Sequence, residues 1–323
     1  MFLEFVLIIV GLIILWKGSD LTVDAAKRLA KKFNISHAVL GLTLVSIGTS
    51  LPEIFTNVYV GLRVYSGAEV DGIAVGVILG SQITQITLIL GTAALIGTMF
   101  ARRHTFRREV PMLFIALGGL WLSALDGHVY PYEAFVLIVI YFGYLYYLNR
   151  YHQVANNIKL EIKEKKRKHI NAPKQLALAV LGLALLIIGG KLVVDNAELV
   201  AQQFRVSQSL IAIVIIGPGA ALPELTVAIS GMRKKASGIS LGALLGSNIT
   251  DPMFSFGVGA IIAGYEFEEA LLWFDMPFWL MATCIAVLFI WTGRRIGRKN
   301  KKEGLTLVGL FALFVILKLW LFL

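Results

Sequence analysis

A glutamate that directly follows a proline inside an apolar stretch is the feature of this sequence that most restricts its fold. Residues 37–62 are apolar except at their centre, which reads GTSLPE (residues 48–53). If this stretch crosses a bilayer, Glu53 lies near the midplane, where a charged side chain costs roughly 2.5–3.5 kcal/mol. Pro52 interrupts the helix and frees carbonyl oxygens beside the carboxylate. Clustered oxygens suit hard cations, although a kinked helix with a locally paired acid would explain a single copy equally well.

The motif occurs a second time as GAALPE (residues 219–224), and the residues around the two copies also match. The downstream segments GSQIT (residues 80–84) and GSNIT (residues 246–250) correspond in the same order. We therefore interpret the chain as an internal duplication. Two interrupted segments at corresponding positions of two halves indicate a transporter whose site lies at the interface between the repeats.

The composition places such a chain in a membrane. Hydrophobic residues make up 57% of the sequence and charged residues 15%, which is far more apolar than a soluble domain. A spanning helix needs about 20 apolar residues. The sequence predicts an all-α polytopic protein with a first five-helix repeat (1–149), a basic linker (150–174) and a second five-helix repeat (175–323). The ten predicted spans are 2–25, 37–62, 72–100, 109–125, 131–149, 175–200, 208–232, 239–263, 275–293 and 304–323.

The net charge of +10 is distributed in a way that predicts topology. Most Lys and Arg residues fall in alternate loops, and the linker is the most basic of them. By the positive-inside rule, both termini are extracellular and the linker is cytoplasmic in the cell membrane. A nucleic-acid partner would not explain this alternation, so none is predicted, and no obligate protein partner is evident. Cys284 is the only cysteine, and we expect it to be a buried apolar filler.

Polar residues in the third and eighth predicted spans complete the candidate site. Ser81 and Gln85 are four residues apart and share one helix face, as do Ser247 and Asp251. The fourth, fifth, ninth and tenth spans carry no comparable polar face and are predicted to be scaffold. Asp195, near the end of the sixth span, could line a hydrated path, but local pairing with Lys191 is favoured.

These motifs resemble the signatures of the cation/calcium exchanger superfamily, G-T/S-S-x-P-E followed by G-S-N-x-x-N/D. The match covers both repeats in order, and it looks most like the prokaryotic sodium/calcium exchangers. The resemblance implies ten helices in two inverted five-helix repeats and transport by alternating access, with no cofactor. Glu53 and Glu224 match the direct calcium ligands, and Gln85 and Asp251 match the flanking amide and acid. The hydroxyl positions that match calcium or sodium ligands are Thr49, Ser50, Ser81 and Ser247.

One departure from the family pattern leaves the coupling ion open. Ala220 and Ala221 stand where hydroxyl residues are common, so at least one sodium position is weakened. The leading interpretation is exchange of Ca²⁺ for Na⁺, and the first alternative is H⁺-coupled exchange of Ca²⁺ or another divalent cation. A cation channel or an intramembrane enzyme is less favoured, because the polar residues cluster at one depth and no nucleophile with a partner base accompanies them.

Overall fold

The computed structural model describes residues 2–32, 47–100, 103–156, 171–233, 237–293, 295–296 and 301–322, and these are mostly helical. Two short antiparallel strand pairs join the loops: β1 (Met99–Phe100) pairs with β4 (Arg295–Ile296), and β2 (His128–Val129) pairs with β3 (Tyr265–Glu266). The helices are α1 (Phe2–Lys32), α2 (Leu51–Tyr65), α3 (Asp71–Ile96), α4 (Arg103–Ser123), α5 (Pro131–Asn156), α6 (Ala172–Phe204), α7 (208–220), α8 (Leu222–Arg233), α9 (237–263), α10 (271–293) and α11 (Lys301–Phe322).

Within the described ranges, seven helical segments are long and apolar enough to cross a membrane. Most predicted span boundaries agree with the helices to within a few residues. Larger differences are that α1 continues to Lys32, beyond the predicted end at 25, and that α4 begins at Arg103, before the predicted start at 109. Helix α3 ends at Ile96, before the predicted end at 100, because Gly97 becomes extended and β1 follows. Helix α5 continues to Asn156 and α6 begins at Ala172, so both helices extend into the range predicted to be the linker (150–174). Residues 33–46 and 157–170, which hold much of the second predicted span and of the linker, lie outside the described residues.

Helices α1 and α6 form a close antiparallel pair. Gly11 faces the backbone of Gly189, and Gly18 faces that of Gly182. A Cβ atom added at either Gly11 or Gly18 would lie only about 3 Å from atoms of α6. Small residues allow helices to approach this closely in membranes. At one end of the pair, the Gln203 amide donates to the Glu4 carboxylate at 3.3 Å. The first helices of the two predicted repeats therefore run in opposite directions, side by side.

Helices α3 and α9 occupy the centre of the bundle, and each is contacted by the last helix of the other half. Gly91 of α3 lies against Gly304 of α11, whereas its counterpart Gly257 of α9 lies against Ile138 of α5. Gly80 of α3 packs on the backbone of α7. This reciprocal packing buries α3 almost completely and fixes the depth of the polar residues that α3 and α9 carry.

The outer surfaces of the bundle are apolar. Large exposed apolar side chains cover α5, α6 and α11, including Phe135, Ile187 and Trp320, as expected for helices that face lipid. Cys284 of α10 belongs to this exposed surface. The prediction that its thiol is buried was wrong, because a small apolar residue in a spanning helix is equally suited to lipid and to a protein core.

An ionic network ties α6 to α2. Lys191 pairs with Asp195 at 3.1 Å, which confirms the predicted local pair. Asp195 also accepts hydrogen bonds from Tyr59 and Arg63 of α2, and Arg63 pairs in addition with Glu198 at 2.9 Å. Arg63 could not be identified as a partner from the sequence, because it lies far from Asp195 along the chain.

Candidate cation site

The two repeated motifs form the same local backbone structure. Ser50, which interrupts the helix of the first motif just before α2, has φ −80° and ψ 4°. Its counterpart Ala221, just before α8, has φ −76° and ψ 6°. Each interruption is followed within two residues by the proline of the motif. Pro52 cannot donate to the carbonyl oxygen of Gly48, four residues earlier. That oxygen instead accepts a hydrogen bond of 2.7 Å from Ser19 of α1. This hydrogen bond connects α1 to the interrupted segment that carries Glu53.

The second pair of motifs also produces matching local structure. A π-helical turn covers Gln85–Ile89 in α3, and another covers Asp251–Ser255 in α9. Such turns inside α-helices are frequent at functional sites. Gln85 and Asp251, the two residues predicted to flank the glutamates, therefore each begin a π-helical turn.

Both glutamates accept a hydrogen bond from a serine of their own half. Ser81 donates to Oε1 of Glu53 at 2.9 Å, and Ser247 donates to Oε1 of Glu224 at 3.2 Å. The Thr49 hydroxyl lies 3.3 Å from the Ser247 hydroxyl and connects the two halves. The second oxygen of each glutamate, Oε2, is buried and has no partner within the described protein. Each glutamate thus keeps one oxygen available to a ligand.

The flanking residues meet across the interface between the halves. Nε2 of Gln85 lies 2.9 Å from the Ser81 hydroxyl and 2.9 Å from Oδ2 of Asp251. Ser50 lies beside the same carboxylate and is fully buried. All eight predicted site residues are therefore brought into one cluster. That they bind a cation stays a prediction.

Three members of the cluster were absent from the predicted site. Gln82 donates to Oδ2 of Asp251 at 3.0 Å, and Ser255 donates to Oδ1 at 3.1 Å. Asn248 donates to Oε1 of Gln85 at 2.9 Å. Gln82 and Asn248 stand in the polar rows of the third and eighth spans, whereas Ser255 could have been found only from its position one helical turn after Asp251.

Burial makes the charges of this cluster unusual. Glu53 and Asp251 are 0% exposed and Glu224 is 2% exposed, and Glu53 is close enough to the other two acids to be repelled by both. Among the ion pairs of the described residues, none involves these acids. The described residues also contain no group of three or more His, Cys, Asp or Glu side chains that could coordinate a metal ion by themselves. A cation here would need hydroxyl and amide oxygens as well as carboxylates.

Comparison with known proteins identifies the family. The profile of the family described as "Sodium/calcium exchanger protein" matches residues 3–149 and 174–320. The chain belongs to this sodium/calcium exchanger family. It is therefore a membrane transporter and not an enzyme.

Relatives and solved structures agree with this assignment over nearly the full length of the exchanger. The "Inner membrane protein YrbG" of Escherichia coli is 31% identical over 99% of this chain and 98% of its own. The "Sodium/calcium exchanger MaX1" of Methanosarcina acetivorans is 27% identical over 97% of both chains. A structure of the sodium-calcium exchanger NCX_Mj soaked with Na⁺ and Sr²⁺ has a TM-score of 0.65 and 27% identity, covering 98% of both chains.

Proposed function

We propose that this exchanger is a secondary antiporter that moves Ca²⁺ against Na⁺ by alternating access. The observation that carries the proposal is the pair of buried glutamates, each with one oxygen that has no partner in the described protein. Hydroxyl groups of Thr49, Ser50, Ser81 and Ser247 surround them and supply neutral oxygens. Calcium takes 6–8 such oxygen ligands, and two proteins to which this chain is similar are sodium/calcium exchangers by name.

The charge of the site explains why exchange is favoured over a one-way flux. Two facing carboxylates can be neutralised by one divalent cation, by two monovalent cations or by two protons. Left empty, they would carry uncompensated buried charge, which is costly in a low-dielectric environment. The site therefore has to be filled before the protein changes conformation, and release of one ion requires binding of another.

Proton coupling is the second candidate, and Ala220 and Ala221 are the observation that favours it. Both side chains are buried, at 2% and 0% exposure, at positions where a hydroxyl could have contributed an oxygen. With fewer neutral ligands, sodium binding is weakened while protonation of the glutamates is not. H⁺ would then replace Na⁺ in the same cycle.

Radioactive calcium flux in proteoliposomes tests both candidates. Sodium and proton gradients are imposed separately, and the calcium gradient is held constant. Sodium exchange predicts that an outward sodium gradient drives calcium uptake at equal pH on both sides. Calcium uptake that needs no sodium and follows the pH gradient would show that H⁺ and not Na⁺ is the coupling ion. The proposed calcium site would be unaffected by that result.

The architecture that we propose has ten spans in two inverted repeats, with both termini extracellular and the linker cytoplasmic in the cell membrane. The antiparallel α1 and α6 pair supports the inversion. The strand pairs support the topology, because β1 with β4 joins two basic loops, whereas β2 with β3 joins two loops outside the basic set. No cofactor enters the proposed cycle.

Cysteine labelling from each side of the membrane tests this topology. In a Cys284→Ala background, single cysteines are introduced at Lys166 in the linker and at Glu268 near β3. We expect an impermeant thiol reagent added outside to label position 268 and not position 166. Labelling of both positions from one side would refute the arrangement of ten spans.

A further inference from the structure

Helix α10 carries a buried polar stripe that the cation site does not use. Asp275, Trp279 and Thr283 are spaced four residues apart and share one face of the helix, and each is 0% exposed. Each also has a buried polar atom without a partner in the described protein: Oδ1 of Asp275, Nε1 of Trp279 and Oγ1 of Thr283. The sequence-based prediction that this span carries no comparable polar face was therefore wrong.

The stripe begins at an ion pair and stops partway along the helix. The other carboxylate oxygen of Asp275 accepts from Lys318 of α11, which is buried at 1% exposure. Beyond Thr283 the same buried face continues with Ala286 and Ile290, which are apolar. Because an α-helix rises 1.5 Å per residue, Thr283 lies about 18 Å along α10 from its start at residue 271.

The end of the stripe lies at the depth of the cation site. Helix α10 packs against α3, including the π-helical turn that begins at Gln85. The two helices start close together, because a Cβ atom at Gly72 of α3 would lie 2.8 Å from Glu268, just before α10. Gln85 lies about 21 Å along α3 by the same helical rise. Next to it, Oγ1 of Thr84 is a further buried polar atom without a partner in the described protein.

Unpaired buried polar atoms are costly, and several in a row call for a common explanation. Each costs about 1–3 kcal/mol when it has no hydrogen-bond partner, and folded proteins usually satisfy such atoms with buried water. The fold itself does not require the stripe. In the first half the same acid-x-proline pattern places Glu109 in α4, but the next two positions of that face are Leu113 and Leu117, both buried and apolar.

We propose that the stripe binds a file of water molecules that runs from the Asp275 and Lys318 pair to the depth of the cation site. The bound ligand is water rather than a metal ion, since the Asp275 carboxylate is already paired with Lys318 and the Trp279 indole offers only an N–H donor, which cannot coordinate a cation. Such a file gives water a route toward the site that is separate from the route of the ions. The proposal does not depend on which ion the exchanger carries.

Hydrogen exchange of the Trp279 indole tests the proposal directly. The full-length protein is labelled with ¹⁵N-tryptophan in lipid nanodiscs, and the Trp279 signal is assigned with Trp279→Phe. We expect cross-peaks between the Trp279 N–H and water, and exchange in D₂O within minutes. An indole N–H that stays protected for days would overturn the proposal. Thr283→Val should slow the exchange at least several-fold, whereas Thr283→Ser should leave it unchanged; equal exchange in both variants would also contradict the file.

A cysteine pair tests how far the file extends. Thr283→Cys in a Cys284→Ala background places a thiol on the stripe, and the unmodified chain provides the matched control, since Cys284 is next to it on the exposed face. We expect a small neutral thiol reagent to label position 283 at least tenfold faster than Cys284. Equal or slower labelling would show that water does not reach the depth of Gln85. Neither measurement uses transport, so these outcomes are independent of the proposed antiport.

Discussion

The two halves of the exchanger share a backbone design but differ in the side chains that it presents. Ser50 and Ala221 interrupt their helices with nearly the same dihedral angles, and both glutamates accept from an equivalent serine. Yet the first break carries two hydroxyls where the second carries two methyl groups. The backbone break alone therefore positions a glutamate, and hydroxyl groups within the break are a separate feature that only the first half has.

The flanking residues show the same division of roles. The first half contributes the amides of Gln82 and Gln85, and the second half contributes the carboxylate of Asp251, to which both amides donate. Two identical halves would oppose amide to amide or acid to acid. The differences between the repeats make them complementary across their interface.

The largest expected effect comes from the residues that the halves have in common. Glu53→Gln and Glu224→Gln each remove one of two facing carboxylates. Removing one member of a buried pair of opposite charges, here a carboxylate that faces the bound calcium ion, costs about 2–5 kcal/mol. This corresponds to about 30-fold or more in affinity. We expect calcium binding, measured by calorimetry, to fall below detection in both variants. Glu69→Gln, at an exposed acid, is the control; retention of binding by either site variant would mean that its motif is only a helix break.

A smaller loss is expected at Gln82, which reaches across the interface to a carboxylate, whereas its counterpart Asn248 reaches across to an amide oxygen. Hydrogen bonds to charged groups contribute about 1.5–3 kcal/mol, so Gln82→Leu should weaken calcium binding about tenfold or more. The effect should nearly disappear in an Asp251→Asn background, because the amide acts through that carboxylate. Full additivity of the two substitutions in a double-mutant cycle would rule out this role.

Restoring the hydroxyls of the second break should reduce the difference between the halves. Ala220→Thr with Ala221→Ser adds neutral oxygens without charge, and a neutral hydrogen-bonding group is worth about 0.5–1.5 kcal/mol. We expect calcium efflux to depend more steeply on sodium at fixed pH, with half-maximal sodium lowered by about two- to tenfold. Ala228→Ser, at a buried alanine of the neighbouring helix α8, controls for added polarity. An unchanged sodium dependence would favour proton coupling.

The smallest effect is expected at the ionic network in which Arg63 of α2 pairs with Asp195 and Glu198 of α6. Its side chain is 28% exposed and those of Asp195 and Glu198 are 30% and 23% exposed, so solvent screens the pairs and each contributes under about 1 kcal/mol. Arg63→Gln should change the exchange rate by about fivefold at most, and the change should shrink in high salt. A rate loss that salt does not alter would indicate a structural role instead.

The sequence predicted those parts of the site that depend on local structure. An acid after a proline inside an apolar run determines both the helix break and the burial of Glu53, and repetition of the run identified Glu224. Tertiary packing decides the rest. Gln82 and Gln85 are both long amides on α3, and only the packing of α3 against α9 shows that both reach Asp251. The stripe of Asp275, Trp279 and Thr283 was missed because three polar residues spread over an apolar helix leave its average character unchanged.

The glycine contacts between α1 and α6 limit how the protein can leak. Because glycine at positions 11 and 18 lets the backbone and side chains of α6 pack directly on the α1 backbone, the two helices form one tightly packed unit, and we expect them to tilt or shift together. In the proposed cycle, a movement that opens the cation site to one side of the membrane therefore closes it to the other side. If α1 and α6 moved independently, the site could be uncovered on both faces at once, and so this contact helps the cell to keep the gradient that drives transport.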